Sequence, residues 1–215
     1  MFDSLVQAYS TDVADRMLDS LRPSVYDFFA PQDISVPGSS GYHPNENPTP
    51  TGMEPFEVYS DDLVTVTATL VEHPPVAPAF AFRFDTAGGS VTISGDTAPC
   101  GNLVRLARDT DLLLHEAIDF DSIQQAYVGE DPVTAAATMD HHRKSHTSPV
   151  QAGEIATLAG ARRLALHHLV PGNAAPEAWQ SARESYSGPF YVPEDLDVIS
   201  FANSNLRSSL VAERA

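Results

Sequence analysis

SGDTAPC, residues 94–100, sets an aspartate between a glycine and a threonine just where a strand ends. Behind it runs Ser90-Val91-Thr92-Ile93, β-branched and strand-like, and ahead runs Asn102-Leu103-Val104-Arg105-Leu106-Ala107, which reads as a helix. Strand, tight Gly turn and helix together make one unit of an α/β layer. The carboxylate of Asp96 then faces the crevice beyond the strand's C-terminal end, where ligands collect in such sheets. An Asp-Thr pair in such a loop serves equally as a helix cap, so the heptapeptide alone leaves both readings open.

The flanking sequence extends the layer in both directions. Before the heptapeptide, LVTVTATLVEH (63–73) and AFAFRFD (79–85) alternate apolar and polar residues, and the Gly88-Gly89 turn leads into SVTISGD (90–96), which predicts a meander. After it, helix and strand alternate: a helix near 101–108, a buried strand at 111–116, a helix near 149–160, a strand at 163–168, a helix near 175–186 and a last strand at 197–201. The expected class is α/β, layered, with no internal repeat. Residues 2–19 carry Leu5, Val6, Tyr9, Val13, Met17 and Leu18 at near-helical spacing and predict one amphipathic helix. Residues 31–57, with six prolines among Gly, Ser and Asn, predict a long irregular loop, of the kind that is either functional or a connector. Ser148-Pro149-Val150-Gln151 combines an N-cap, a proline at the first helical position and a capping-box Gln. That start places His146 in the loop before a helix.

Composition narrows the function. The formal charge is −17, from 12 Lys and Arg against 29 Asp and Glu, a balance that repels phosphate backbones and argues against non-specific nucleic-acid binding. No apolar stretch approaches the roughly 20 residues of a membrane helix, so no membrane partner is expected. The single cysteine, Cys100, excludes an intrachain disulfide and any zinc knuckle built on cysteines. No basic segment followed by an apolar core opens the chain, so no signal peptide is visible and the cytoplasm is the default expectation.

Of eight histidines, His73, His115, His146, His167 and His168 fall at strand ends or in the loops after strands, where with Asp96 they could converge on one crevice. Each has a structural alternative, His115 or His167 as a satisfied core histidine and His43 as a solvated loop residue. As a set, imidazoles and a carboxylate suit zinc and similar divalent ions, which lower the pKa of a water to about 7.

VEHPPVAPAFAFRF, SGDTAPC, LLLHEAIDF, SHTSPVQAGEIA and LALHHLVPGN, in that order, resemble the C-terminal half of the metallo-β-lactamase superfamily, in particular its ribonuclease Z-like branch. The resemblance implies part of an αββα sandwich, with residues 1–62 a helix plus Pro-rich connector and 63–215 the C-terminal portion of the domain. It implies His73 as ligand of one metal, Asp96 as the bridge between two, and His168, in preference to His167, as ligand of the second. His146, in a block similar to the family's His-Ser-Thr motif, is implied as the catalytic histidine, and Glu116, in a block similar to its His-Glu-Ala-Thr motif, as the residue that orients it. The implied cofactor is a divalent metal, two zinc ions first, with manganese or iron as alternatives. The implied reaction is hydrolysis of phosphodiester or related ester bonds by a metal-activated water.

Several departures qualify this. The family's His-x-His-x-Asp-His motif is absent, and the nearest string, residues 140–146, has other spacing. It reads as a substrate-facing loop, with Arg143 and Lys144 able to meet a phosphate, or as a solvated turn, and a one-metal site recruiting His141 or His142 is the remaining option. Leu169-Val170-Pro171-Gly172-Asn173 replaces the family's polar Ser and Arg-Tyr, and no basic Gly-rich arm is present, so a small phosphodiester or ester substrate is expected before tRNA. The missing motif suggests a chain that begins partway through its fold, partnered by a missing N-terminal half or by a second copy. The alternative function is a catalytically silent fragment or interaction module lacking half of the metal site.

Overall fold

The computed structural model describes residues 2–200, and the chain divides into two units, Met1–Ser35 and Val36–Ala215. In the first, the single helix expected over 2–19 is two, α1 (Phe2–Ala8) and α2 (Ser10–Leu18), broken at Tyr9. Ser10-Thr11-Asp12 explains the break, since short polar side chains favour helix starts over helix interiors. Neither helix buries a residue.

The second unit is a seven-stranded mixed sheet with helices, an α/β fold. Its strands are β1 (Phe56–Ser60), β2 (Val64–Leu70), β3 (Phe80–Thr86), β4 (Gly89–Ile93), β5 (Leu112–Ile118), β6 (Leu164–Val170) and β7 (Phe190–Tyr191), lying side by side in chain order. Strands β2, β3 and β4 pair antiparallel, as the meander predicts, β1 adds a fourth antiparallel strand on β2, and β4 to β7 pair parallel through helical crossovers. Strand β1 lies inside the stretch expected to be connector as far as residue 62. Its five residues FEVYS are too few to show alternation, and pairing with β2 fixes them. The last strand, expected at 197–201, is instead β7. Residues 197–200 adopt no regular structure and Phe201 lies outside the described residues.

The helices of this unit are α3 (Gly101–Leu106), α4 (Phe120–Ala126), α5 (Pro132–Ser145), α6 (Pro149–Ala159) and α7 (Pro176–Gln180), the last continuing as a 3-10 turn to Glu184. Helix α6 starts on the expected capping box, Ser148 and Gln151 each accepting the other's backbone N–H, and ends at Gly160 with φ 67°. Residues 140–146, expected as a loop, are the last turns of α5 and its cap.

Leu103 and Leu106 of α3 and Ile155 and Ala156 of α6 pack on Ala81, Leu113, Leu164 and Leu166 of the sheet. Each such leucine withdrawn from water contributes about 1.5–3 kcal/mol. Side chains alternate across a strand, so Phe82, Phe84, Val91 and Ile93 face away from these helices. They remain only half-buried. Among the described residues no helix is long and apolar enough to cross a membrane.

Asp111 ties β4 to the start of β5. Its carboxylate accepts the Ser90 N–H at 2.9 Å and pairs with Arg162 at 2.8 Å, while its own N–H donates to Ser90 Oγ. Burial pushes its pKa up, but the Ser90 N–H and the Arg162 charge outweigh that and hold it below the ordinary value of 3.8. A depressed carboxyl pKa gives stability that is present above the unfolded value and lost as pH falls through the folded one. Arg162 is mostly exposed, so solvent screens its share. Asp111→Asn is therefore expected to cost about 1 kcal/mol at neutral pH, shrinking as pH falls below 3.8 and through the folded pKa, as urea unfolding at several pH values would read. A cost that does not change with pH would show that the carboxylate charge is not what acts.

Candidate active site

The site forms where β4, β5 and β6 end. The Gly turn after β4 is demanding: Gly95 has φ +60°, and a Cβ there would lie 2.6 Å from the Phe80 carbonyl oxygen. This bend brings Asp96 out of the sheet. His73 follows β2 in a segment held by backbone pairing of Glu72 with Ala98. His146 caps the C-terminus of α5, just before Ser148 opens α6.

His168 reaches the site through a bulge. Glu116 pairs with His167 and Ala117 with Leu169, so His168 is an extra residue in β6, and its φ of 47° lies in the left-handed region. That strain in a non-glycine residue turns its ring to within 3.6 Å of the Asp96 carboxylate. His167, its neighbour, keeps Nε2 buried with no hydrogen-bond partner among the described residues.

His73, Asp96 and His146 each offer one donor atom, and these atoms lie within 4.8 Å of one another. The rings of His73 and His146 stand edge to face at 5.1 Å, and those of His146 and His168 stack at 6.2 Å. Thus all the residues implied as ligands and the implied catalytic histidine share one crevice. The structure groups His146 with His73 and Asp96 as closely as a ligand would be.

Glu116 lies beneath this group, fully buried. Its Oε1 accepts the Thr97 N–H at 3.1 Å and the Thr147 N–H at 3.2 Å, and lies 3.1 Å from His146 Nδ1. The hydrogen bond that His146 donates to Glu116 raises the His146 pKa above its ordinary value, against the opposing effect of burial. Burial likewise pushes Glu116 up, opposed first by the bond from His146. His115 is a core histidine. It is fully buried, its Nδ1 is 2.7 Å from the Glu116 carbonyl oxygen, and burial brings its pKa down to about 4. His43 stays in the Pro-rich loop, where its Nδ1 accepts the N–H groups of Asn45 and Glu46.

Sequence reasoning did not single out the buried hydroxyls that join these loops. Thr147 Oγ1 donates to the Thr97 carbonyl and Ser145 Oγ to the Pro74 carbonyl, both at 2.6 Å. The available signal was a hydroxyl residue on each side of His146, Ser145 and Thr147, and another directly after Asp96. His142, one turn before His146 on α5, brings its ring within 6.1 Å of the His146 ring, while Lys144 pairs with Asp140 along the helix.

Three imidazoles and a carboxylate converging on a partly exposed crevice form a donor set that fits a divalent metal. No family model matches the chain. A ribonuclease Z of Mycobacterium tuberculosis is 32% identical over 156 residues, covering 69% of this chain and 54% of its own length. A ribonuclease Z of Mycobacterium avium is 32% identical over 147 residues, covering 65% and 48%. The chain spans about half the length of these relatives. Among solved structures, the metallo-β-lactamase fold protein YhfI of Bacillus subtilis is 22% identical with a TM-score of 0.49, covering 65% of this chain and 50% of its own. The short form of human tRNase Z is 25% identical with a TM-score of 0.46, covering 68% and 45%. At 32% identity over more than two thirds of its residues, the chain belongs to the metallo-β-lactamase superfamily, on its ribonuclease Z-like branch.

Proposed function

We propose that this chain supplies the C-terminal half-site of a divalent-metal hydrolase that cleaves phosphodiester or related ester bonds. The observation that carries this is the convergence of His73, Asp96 and His146 donor atoms within 4.8 Å, with His168 beside Asp96. His73, Asp96 and His168 would hold the metal, zinc first and manganese or iron as alternatives. A carboxylate suits the bridging position because it has two oxygens, where an imidazole nitrogen offers one lone pair. A bound divalent cation supplies charge for the phosphoryl oxygens and lowers the pKa of a water.

His146 does separate work. Its Nδ1–H is engaged by Glu116, which leaves Nε2 to carry a proton toward the scissile bond. As the water oxygen bonds to phosphorus and the bond to the leaving oxygen breaks, that oxygen takes the His146 proton. His146→Ala is expected to lower turnover of bis(4-nitrophenyl) phosphate by about 10²- to 10⁴-fold while metal content holds. Loss of metal in that variant would make His146 a ligand.

The half-exposed face of Phe82, Phe84, Val91 and Ile93 favours a second reading, a module that binds a partner chain or a second copy through its sheet and turns nothing over by itself. Metal content per chain, read beside oligomeric mass and phosphodiesterase activity, separates the two. Metal with turnover supports the hydrolase, and a metal-free, inert dimer supports the module.

A further inference from the structure

A cavity of about 470 Å³ opens beside His73, walled on one side by the Pro-rich loop with Asn45 and Glu46 and on the other by Glu72, Pro74 and Val76. Its volume suits a small organic group, since ligand pockets run about 300–1,000 Å³. His73 belongs both to this lining and to the cluster with Asp96 and His146, so a group seated in the cavity lies next to the reacting centre.

Both walls are fixed by hydrogen bonds. The loop folds back through paired backbone bonds between His43 and Asn47, and His43 Nδ1 pins the N–H groups of Asn45 and Glu46. The opposite wall is held by the Ala98 N–H on the Glu72 carbonyl, by Thr97 Oγ1 accepting the Glu72 N–H, and by Ser145 on Pro74. Thr49 joins the two, its Oγ1 donating to the Val71 carbonyl. A cavity built this way is formed before anything enters it, so binding requires little ordering of the walls.

Its charge is selective. The charged side chains of the lining, apart from His73, are the carboxylates Glu46 and Glu72, and no lysine or arginine among the described residues lines it. Prolines and Val76 supply the apolar remainder. Such a cavity repels a run of phosphates and favours a compact group carrying positive charge and N–H donors.

We infer that the cavity is a substrate-selecting subsite for the ammonium-bearing arm of a small phosphodiester, with the phosphate placed toward His73 and Asp96. This rests on the hydrolase reading above and adds a substrate class to it. Two exposed carboxylates are worth about five- to tenfold in discrimination between a cationic and a neutral arm.

The test uses the whole chain loaded with metal and two diesters of 4-nitrophenol, one with a 2-aminoethyl arm and one with a propyl arm of similar size. The expected kcat/KM is about five- to tenfold higher for the aminoethyl diester, mainly through KM, and this preference falls to about one in the Glu46→Gln, Glu72→Gln double variant. A preference near one in the parent protein, or one that the double variant keeps, overturns the subsite, as does faster cleavage of a short RNA oligonucleotide than of either diester. If neither diester is turned over, calorimetry with 2-aminoethyl phosphate and propyl phosphate decides separately. Tighter binding of the aminoethyl compound, lost in the double variant, keeps the subsite and removes the hydrolase reading, and equal binding removes the subsite.

Discussion

Replacing Asp96 by alanine is expected to weaken retention of divalent metal by more than about 100-fold and to take hydrolysis down with it. The carboxylate lies 3.6 Å from His168 Nδ1 and within 4.8 Å of the donor atoms of His73 and His146, so both sides of the crevice share it. Its side chain is 39% exposed and makes no hydrogen bond that holds the fold among the described residues. The variant should therefore unfold in urea within about 0.5 kcal/mol of the parent. That separation makes metal content after dialysis a clean reading: loss of metal without loss of fold supports the bridging assignment, and unchanged metal content overturns it.

Asp96 was legible in the sequence because local chemistry constrains it from both sides. A β-branched strand, a glycine that alone tolerates φ +60° under the Phe80 carbonyl, and a helix five residues on leave little freedom for the residue between them. The meander and α6 were legible for the same reason, one from period-two alternation and the other from its capping box. The ligand blocks gained their meaning from their order along the chain, which resembles one family more than any single block does.

What escaped the sequence lacked a periodic signal. Helix α5 buries only Met139 and Ser145, so no apolar stripe announces it, and its start at Asp131-Pro132 is a cap without a following pattern. Residues 140–146 consequently read as a loop, although the helix that carries them is what positions His142 and His146. Strands β1 and β7 are five and two residues long, too short to alternate visibly, and exist through pairing with longer neighbours. The bulge at His168 has no sequence mark at all. His167 and His168 are identical residues that the family resemblance alone could rank, and the skipped register of β6 is the physical reason that one faces Asp96 while the other keeps its Nε2 buried.

Glu116→Ala is expected to be the most destabilising single change in the site, at about 3–5 kcal/mol, because it orphans three groups on two separate segments. The N–H groups of Thr97 and Thr147 and the His146 ring all converge on Oε1 of a fully buried side chain, and both threonines are themselves fully buried. Glu116→Gln separates geometry from charge. Its amide oxygen can still accept the two backbone N–H groups, but the negative charge that holds the His146 proton is gone. The His146 pKa is raised in the folded state above 6.5, and a raised imidazole pKa stabilises the fold fully below the unfolded value and loses that contribution as pH rises through the folded one. The stability gap between the parent and Glu116→Gln should accordingly be widest near about pH 6 and narrow as pH climbs beyond the folded pKa of His146. More acidic conditions are unsuitable for the comparison because burial also raises the Glu116 pKa and the carboxyl then takes up a proton itself. Urea unfolding of the two proteins from about pH 6 to 9 reads the gap directly. A gap that stays flat over that range would mean that Glu116 holds His146 by position alone, and the proton assigned to His146 Nε2 would have to come from another group.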